Sequence, residues 1–298
     1  MTPQLAPYSF PIEKLVPHRG PMLLVEELRA CSSTQGHGFA RVPAQGIFID
    51  ARGEMDALLQ VELLAQMVAA YKGYEATRDG GSARAGFLVG IKDFNLARAP
   101  RVGERLRMDL KVETVVGNAT VMSGQVSRDG EVVAGGTLNL WEMDGSMALP
   151  DPAPAAPQEV LASMPAAYHQ AETRSLVFGA MLKAMQDLRP GAGEGEWLAR
   201  FHFNPSFPAF AGHFPQFPLL PGVVAALTSL AMAEAALGQR LRPVAVDKAK
   251  LGGMILPGDT VEAKALIRQQ DGVVLARVGL AVPQRGSASF QMRLVEDR

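Results

Sequence analysis

Val89-Gly-Ile-Lys-Asp-Phe94 followed by Val102-Gly-Glu104 returns later in the chain as Val244-Ala-Val-Asp-Lys-Ala249 followed by Pro257-Gly-Asp259. Residue 89 answers to residue 244 and residue 102 to residue 257, a constant offset of 155. Separated segments that keep one register mark an internal duplication, which is recognised before the other motifs are read. Working outward, each copy has the same order: a short strand region, one long apolar helix, then four strands divided by turn signals. The first copy predicts a helix over 56–76 and strands over 85–94, 104–115, 120–127 and 131–141, with Asp129-Gly130 as a two-residue hairpin turn. The second predicts a helix over 223–237 and strands over 244–251, 260–269, 273–282 and 287–294, with Asp271-Gly272 as the matching turn. A helical pattern also spans 176–188. Between the copies, Leu149-Pro-Asp-Pro-Ala-Pro-Ala-Ala-Pro157 has linker composition, which divides the chain into units 1–145 and 173–298 joined by 146–172.

The 298 residues suit two average domains, and 48% apolar with 20% charged residues is ordinary globular composition. A formal net charge of −1 offers no basic excess, which argues against a nucleic-acid partner. The lone Cys31 excludes an internal disulfide. The N-terminus has neither a basic start nor an apolar stretch of signal-peptide type, so a cytoplasmic location is expected. The one span-like segment, 217–237, contains Pro221, Gly222, Thr228, Ser229 and Glu234 and falls short of the roughly 20 apolar residues a membrane crossing needs. A helix apolar on nearly every face must be wrapped by other structure, and a curved sheet would do that.

Ala211-Gly-His-Phe-Pro-Gln-Phe-Pro-Leu-Leu-Pro-Gly-Val-Val224 places His213 in a turn and then opens that helix. A helix start offers unpaired N–H groups and a positive dipole end, suited to negative charge developing on oxygen, while imidazole titrates near neutrality. Chemistry on a carbonyl is the expectation. In the first copy, Glu62 lies among Leu58, Leu59, Leu63, Leu64 and Met67, so it is expected as a buried acid that needs a reason to be there. Gln66 shares its face at i+4, either orienting the acid or standing as a helix-surface amide. His18 and Arg19, beside Pro17 and Gly20, read as a pair that pins a turn. His37 between glycines in a loop, His169 past the linker and His202 on a strand read as incidental. No metal site is indicated, because no histidine is at ligand spacing from a second histidine or a cysteine. Gly191-Ala-Gly-Glu-Gly195 reads as a loop, not a nucleotide fingerprint.

Pro17-His-Arg-Gly-Pro-Met-Leu-Leu-Val-Glu26 resembles the opening of the hot-dog-fold 3-hydroxyacyl-[acyl-carrier-protein] dehydratases, and Gly212-His-Phe-Pro with Pro221-Gly-Val resembles their catalytic turn and helix start. The resemblance runs through nearly the whole chain apart from the linker, as two consecutive units. It implies an α+β double hot dog: two antiparallel sheets, each wrapped around a central helix, forming a pseudo-dimer in one chain. In that family the histidine works with a carboxylate fourteen positions later in sequence, supplied by the neighbouring subunit's helix. Here position 227 is Leu227, and the position as far before Glu62 is Phe48. Each copy has lost what the other has kept. This is similar to the two-subunit dehydratases of aryl-polyene pathways, and Ala69-Ala-Tyr71 and Gly86-Phe-Leu-Val-Gly90 agree with their acid-bearing partner.

The resemblance implies His213 as base, Glu62 as acid with its carboxyl raised by an apolar tunnel, the Gly222 N–H as oxyanion donor, and Gln66 in the substrate site. No cofactor is implied beyond the phosphopantetheine of an acyl carrier protein, which carries the substrate. Lys92, Arg98, Arg101, Lys248 and Lys250 are candidates to meet that acidic carrier, with solvated strand-end charges as the alternative. A homodimer of two double hot dogs is also compatible. Two other functions fit the same fold: a thioesterase, and a non-catalytic acyl-binding scaffold. The complementary loss favours one living site.

Overall fold

Strict alternation of apolar and polar residues from Ala288 to Leu294 buries every second side chain, which makes it a sheet strand with one face on a core. The same alternation recurs along the chain. The structure is a computed structural model and describes residues 6–7, 11–78, 84–146 and 174–297. The first copy contributes β1 (Ala6–Pro7), β2 (Glu27–Cys31), β3 (Gln35–Arg41), α1 (Leu59–Arg78), β4 (Arg84–Leu96), β5 (Arg105–Val116), β6 (Ala119–Arg128) and β7 (Glu131–Ser146). The second contributes α2 (Leu176–Ala184), β8 (Met185–Pro190), β9 (Glu196–His202), α3 (Gly222–Leu237), β10 (Leu241–Leu251), β11 (Thr260–Gln270), β12 (Val273–Val282) and β13 (Gly286–Glu296).

All thirteen strands form one antiparallel sheet in the order β1-β2-β3-β5-β6-β7-β4-β10-β13-β12-β11-β9-β8. Helix α1 packs on β2 to β7, and α3 packs on β8 to β13. Each copy therefore wraps its own helix, as in a double hot dog. The seam is β4 against β10, the two strands that carry the duplicated segment, with Phe94 opposite Val246 and Lys92 opposite Lys248. Both hairpin turns form as expected: Asp129 and Gly130 have φ of 50° and 86°, Asp271 and Gly272 of 50° and 77°, the doubly positive pair that matches strand twist. In α3 the whole run from Val223 to Ala233 is buried, enclosed by the sheet. Among the described residues, no helix is long and apolar enough to cross a membrane.

The structure departs from the sequence reading in two elements. The helical pattern over 176–188 stops at Ala184, and Met185–Pro190 becomes the edge strand β8 because β9 offers it a hydrogen-bonding partner. His37 lies on β3, not in a loop. Its flanking glycines serve close approach: a Cβ on Gly38 would collide with the Glu27 carbonyl, and one on Gly36 would stand 2.9 Å from the Tyr71 ring. His202 closes β9 as expected. The linker and His169 lie outside the described residues.

Candidate active site

His213 sits in the turn before α3, held by its own loop. The Leu219 N–H donates to the His213 carbonyl at 2.9 Å, and His213 Nδ1 lies 2.8 Å from the Leu219 carbonyl. A carbonyl only accepts, so Nδ1 carries the hydrogen and Nε2 presents its lone pair. Glu62 occupies the first turn of α1 in the other copy. Between them stands His18, whose Nε2 is 3.4 Å from Glu62 Oε1 and whose ring centroid is 5.2 Å from that of His213. The donor atoms of all three lie within 4.8 Å of one another, and all three residues are buried. The loops meet through the Arg19 N–H, which donates to the Gly212 carbonyl at 3.0 Å. Gly212 has φ of 88°, and a Cβ there would collide with the Arg19 carbonyl. Only glycine permits that approach.

The other expected site residues fall into place differently. Gln66 is fully buried, donating to Glu62 Oε1 at 2.9 Å and to the Met22 carbonyl at 2.7 Å while accepting from the Leu24 N–H at 2.9 Å. These bonds hold the amide against the carboxylate of Glu62. Gly222 opens α3 without a side-chain cap, and a Cβ on it would press to 2.7 Å from Leu251. Arg19 pins its turn as expected, donating to the Val16, His18 and Glu13 carbonyls, but His18 does not share that role. Arg98 is paired with Glu104, Arg101 with Glu54 and Lys92 with Asp93, whereas Lys248 and Lys250 stand exposed along the seam.

Burial pushes His213 down to about 4, with the neighbouring His18 acting in the same direction and Glu62 opposing, so it is neutral at pH 7. For Glu62 the expectation of a raised carboxyl is reversed. Burial does favour the neutral acid, but the hydrogen bond and charge of His18, the charge His213 gains when it protonates at acid pH, and the Gln66 amide together outweigh it and hold the carboxyl well below its usual range. The immediate partners of the Glu62 carboxylate are polar. Folding also brings together two imidazoles and a carboxylate that are far apart in the sequence. Their donor types suit a divalent cation. Glu62 Oε1, however, is already engaged by His18 and Gln66.

A second, related place exists in the chain. The Val177 N–H donates to the Ile47 carbonyl at 3.0 Å, the counterpart of the Arg19 to Gly212 bond, so Leu176 stands to Phe48 as His18 stands to His213. On α3, Leu227 and Ala231 stand fourteen and eighteen positions after His213, as Glu62 and Gln66 stand after Phe48. Leu176, Phe48, Leu227 and Ala231 are all buried in the hydrophobic core. Every polar member of the first site is apolar in the second.

This architecture, two sheet-wrapped helices sharing one seam and one polar cluster between the halves, defines a double hot-dog protein. The family model described as ApeP dehydratase matches residues 10–149, and the one described as ApeI dehydratase matches residues 190–279. The chain is thus related to the ApeP and ApeI dehydratase components and to the FabZ-type dehydratases. A 3-hydroxyacyl-[acyl-carrier-protein] dehydratase FabZ of Xanthomonas euvesicatoria pv. vesicatoria is 35% identical over 89 residues, covering 25% of this chain and 59% of that protein. The FabZ of Thermomicrobium roseum is 29% identical over 136 residues, covering 44% of this chain and 89% of that protein. The chain thus spans about three fifths of the first of these relatives. Among solved structures, the dehydratase domain from the CurF module of Curacin polyketide synthase aligns at TM-score 0.54 and 14% identity, over 94% of this chain and 100% of that one. An oleoyl thioesterase structure from Lactobacillus plantarum aligns at TM-score 0.57 and 13% identity, over 88% and 95%. At these identities the likeness shows the fold, which dehydratases and thioesterases share.

Proposed function

We propose that the chain dehydrates a 3-hydroxyacyl thioester carried on the phosphopantetheine of an acyl carrier protein, giving the trans-2-enoyl thioester at one composite site per chain. The observation that carries this reading is the meeting of Glu62, from unit 1–145, with His213, from unit 173–298, in one buried cluster. His213 Nε2 takes the C2 proton, for which a neutral imidazole is required. The C3 oxygen leaves as water after taking a proton at Glu62. Charge building on the thioester oxygen is met by the Gly222 N–H at the start of α3, where the helix dipole is favourable. The carrier is acidic, and the exposed Lys248 and Lys250 on the seam are the cations best placed to receive it, while Lys92, Arg98 and Arg101 are already paired.

General acid–base help of this kind is worth about 10²–10⁴ in rate. His213→Ala and Glu62→Gln should each lower turnover by at least that lower bound while the far-UV circular dichroism stays as in wild type. Mass spectrometry of a 3-hydroxyacyl carrier substrate should show loss of water with wild type and none with either variant. Release of free acid and bare carrier would identify a thioesterase instead. Full activity in Glu62→Gln would rule out the composite site.

A further inference from the structure

The turn that carries His213 lies against the loop that follows β10, where the Leu220 N–H donates to the Ile255 carbonyl at 2.9 Å. The same bond recurs at the second place, the Met55 N–H donating to the Pro100 carbonyl at 2.8 Å. The partners correspond by the two offsets that relate the copies, 165 through the turns of His213 and Phe48 and 155 through the strands. Each residue beside the polar cluster therefore has an identifiable counterpart beside the apolar one, and the duplication serves as its own control.

On the His213 side two large apolar side chains stand in water, Phe217 at 44% exposure on the turn and Met254 at 42% on the bonded loop. Their counterparts are Arg52 and Ala99. At the end of β10, the exposed Lys250 has no carboxylate partner among the described residues, and its counterpart is the uncharged Asn95. Cations at the second place are each taken: Arg52 by Asp50, Glu54 and Asp297, Arg98 by Glu104, and Arg101 by Glu54. Lys248 faces Lys92 across the seam, so it borders both surfaces and distinguishes neither.

Resting on the dehydratase reading above, we infer that Phe217 and Met254 form an apolar lip, edged by Lys250, on which an acidic carrier protein docks, and that the matching surface around Arg52 and Ala99 receives none. Apolar side chains exposed beside free charge are what a protein-binding patch presents, the apolar part setting residence and the charge setting orientation and approach. The lip is on the same turn as His213, so a carrier seated there stands beside the polar cluster. At the second surface the apolar groups are missing and the acids Glu54 and Asp50 already hold the cations, which leaves an acidic partner nothing to grip.

The test titrates the whole protein with a purified holo acyl carrier protein by calorimetry. Phe217→Ser combined with Met254→Ser, and separately Lys250→Glu, should each weaken binding about 10-fold or more. Asn95→Glu, the matched change at the second surface, should bind as wild type does. Undiminished binding in the double variant, an equal loss in Asn95→Glu, or no binding by wild type would each overturn the inference. Binding is read without turnover, so a protein that holds the carrier at the lip yet releases no water would contradict the dehydratase reading alone. In turnover, the double variant should raise KM for the carrier-borne substrate about 10-fold with kcat within about twofold of wild type. An equal rise for the same acyl group on free pantetheine would put the lip on the acyl path and overturn docking. Conversion of a dimer to a monomer by the double variant, with carrier affinity intact, would make the lip a self-association face and overturn it as well.

Discussion

His213 is neutral because it is buried, and that leaves a mark on stability. In the unfolded chain an imidazole begins to protonate near pH 6.5, whereas in the folded protein it does so only near 4. The unfolded state therefore binds the extra proton first as pH falls, and stability is lost between those two values. Glu62 acts in the same sense at lower pH, because its folded carboxyl is also depressed. Urea midpoints measured from pH 7 to pH 4 should fall more steeply for wild type than for His213→Gln; equal slopes would show that His213 is not held neutral. At this scale the sequence is legible in part. His213 and Glu62 can be found because a turn motif and an acid inside an apolar helix are local signals. His18 cannot, since Pro17 and Gly20 announce a turn without saying where its side chains face. That depends on the bond from Arg19 to Gly212, which joins residues from different copies.

At the scale of elements, α1 and α3 are equivalent helices with opposite fates. The first turn of α1 carries a buried acid satisfied by His18 and Gln66, while α3 carries Leu227 and Ala231 at the same spacing from His213 as the acid and amide have from Phe48. An unpaired buried acid is costly, whereas Leu227, Phe48 and Leu176 gain from packing in the core. Leu227→Ala should therefore destabilise the protein by about 2–5 kcal/mol, with the dehydration rate per folded molecule unchanged. A loss smaller than about a quarter of that lower bound, read from denaturant unfolding, would mean that the second place is not filled by packing. Strands and hairpins are legible because period-two alternation and the Asp-Gly pairs are encoded over a few residues. The end of α2 is not. Met185–Pro190 is a strand only because β9 lies alongside, and no local pattern reports a neighbour in the sheet.

For the whole molecule, the constant offset between the two copies makes the double architecture readable in the sequence itself, and the β4–β10 seam joins the duplicated segments. The seam brings together loops from both halves, so the active constellation belongs to neither half alone. The pairing of opposite losses is then coherent: one site keeps all its polar members, and its counterpart has become core. The central claim is one working site per chain, assembled across the halves. It is tested most directly by titrating the whole protein with an acyl carrier protein that bears a mechanism-based pantetheine crosslinker, and counting carriers bound per chain by intact mass. The account predicts one carrier per chain with wild type and none with His213→Ala; two carriers per chain, or labelling that survives His213→Ala, would contradict it.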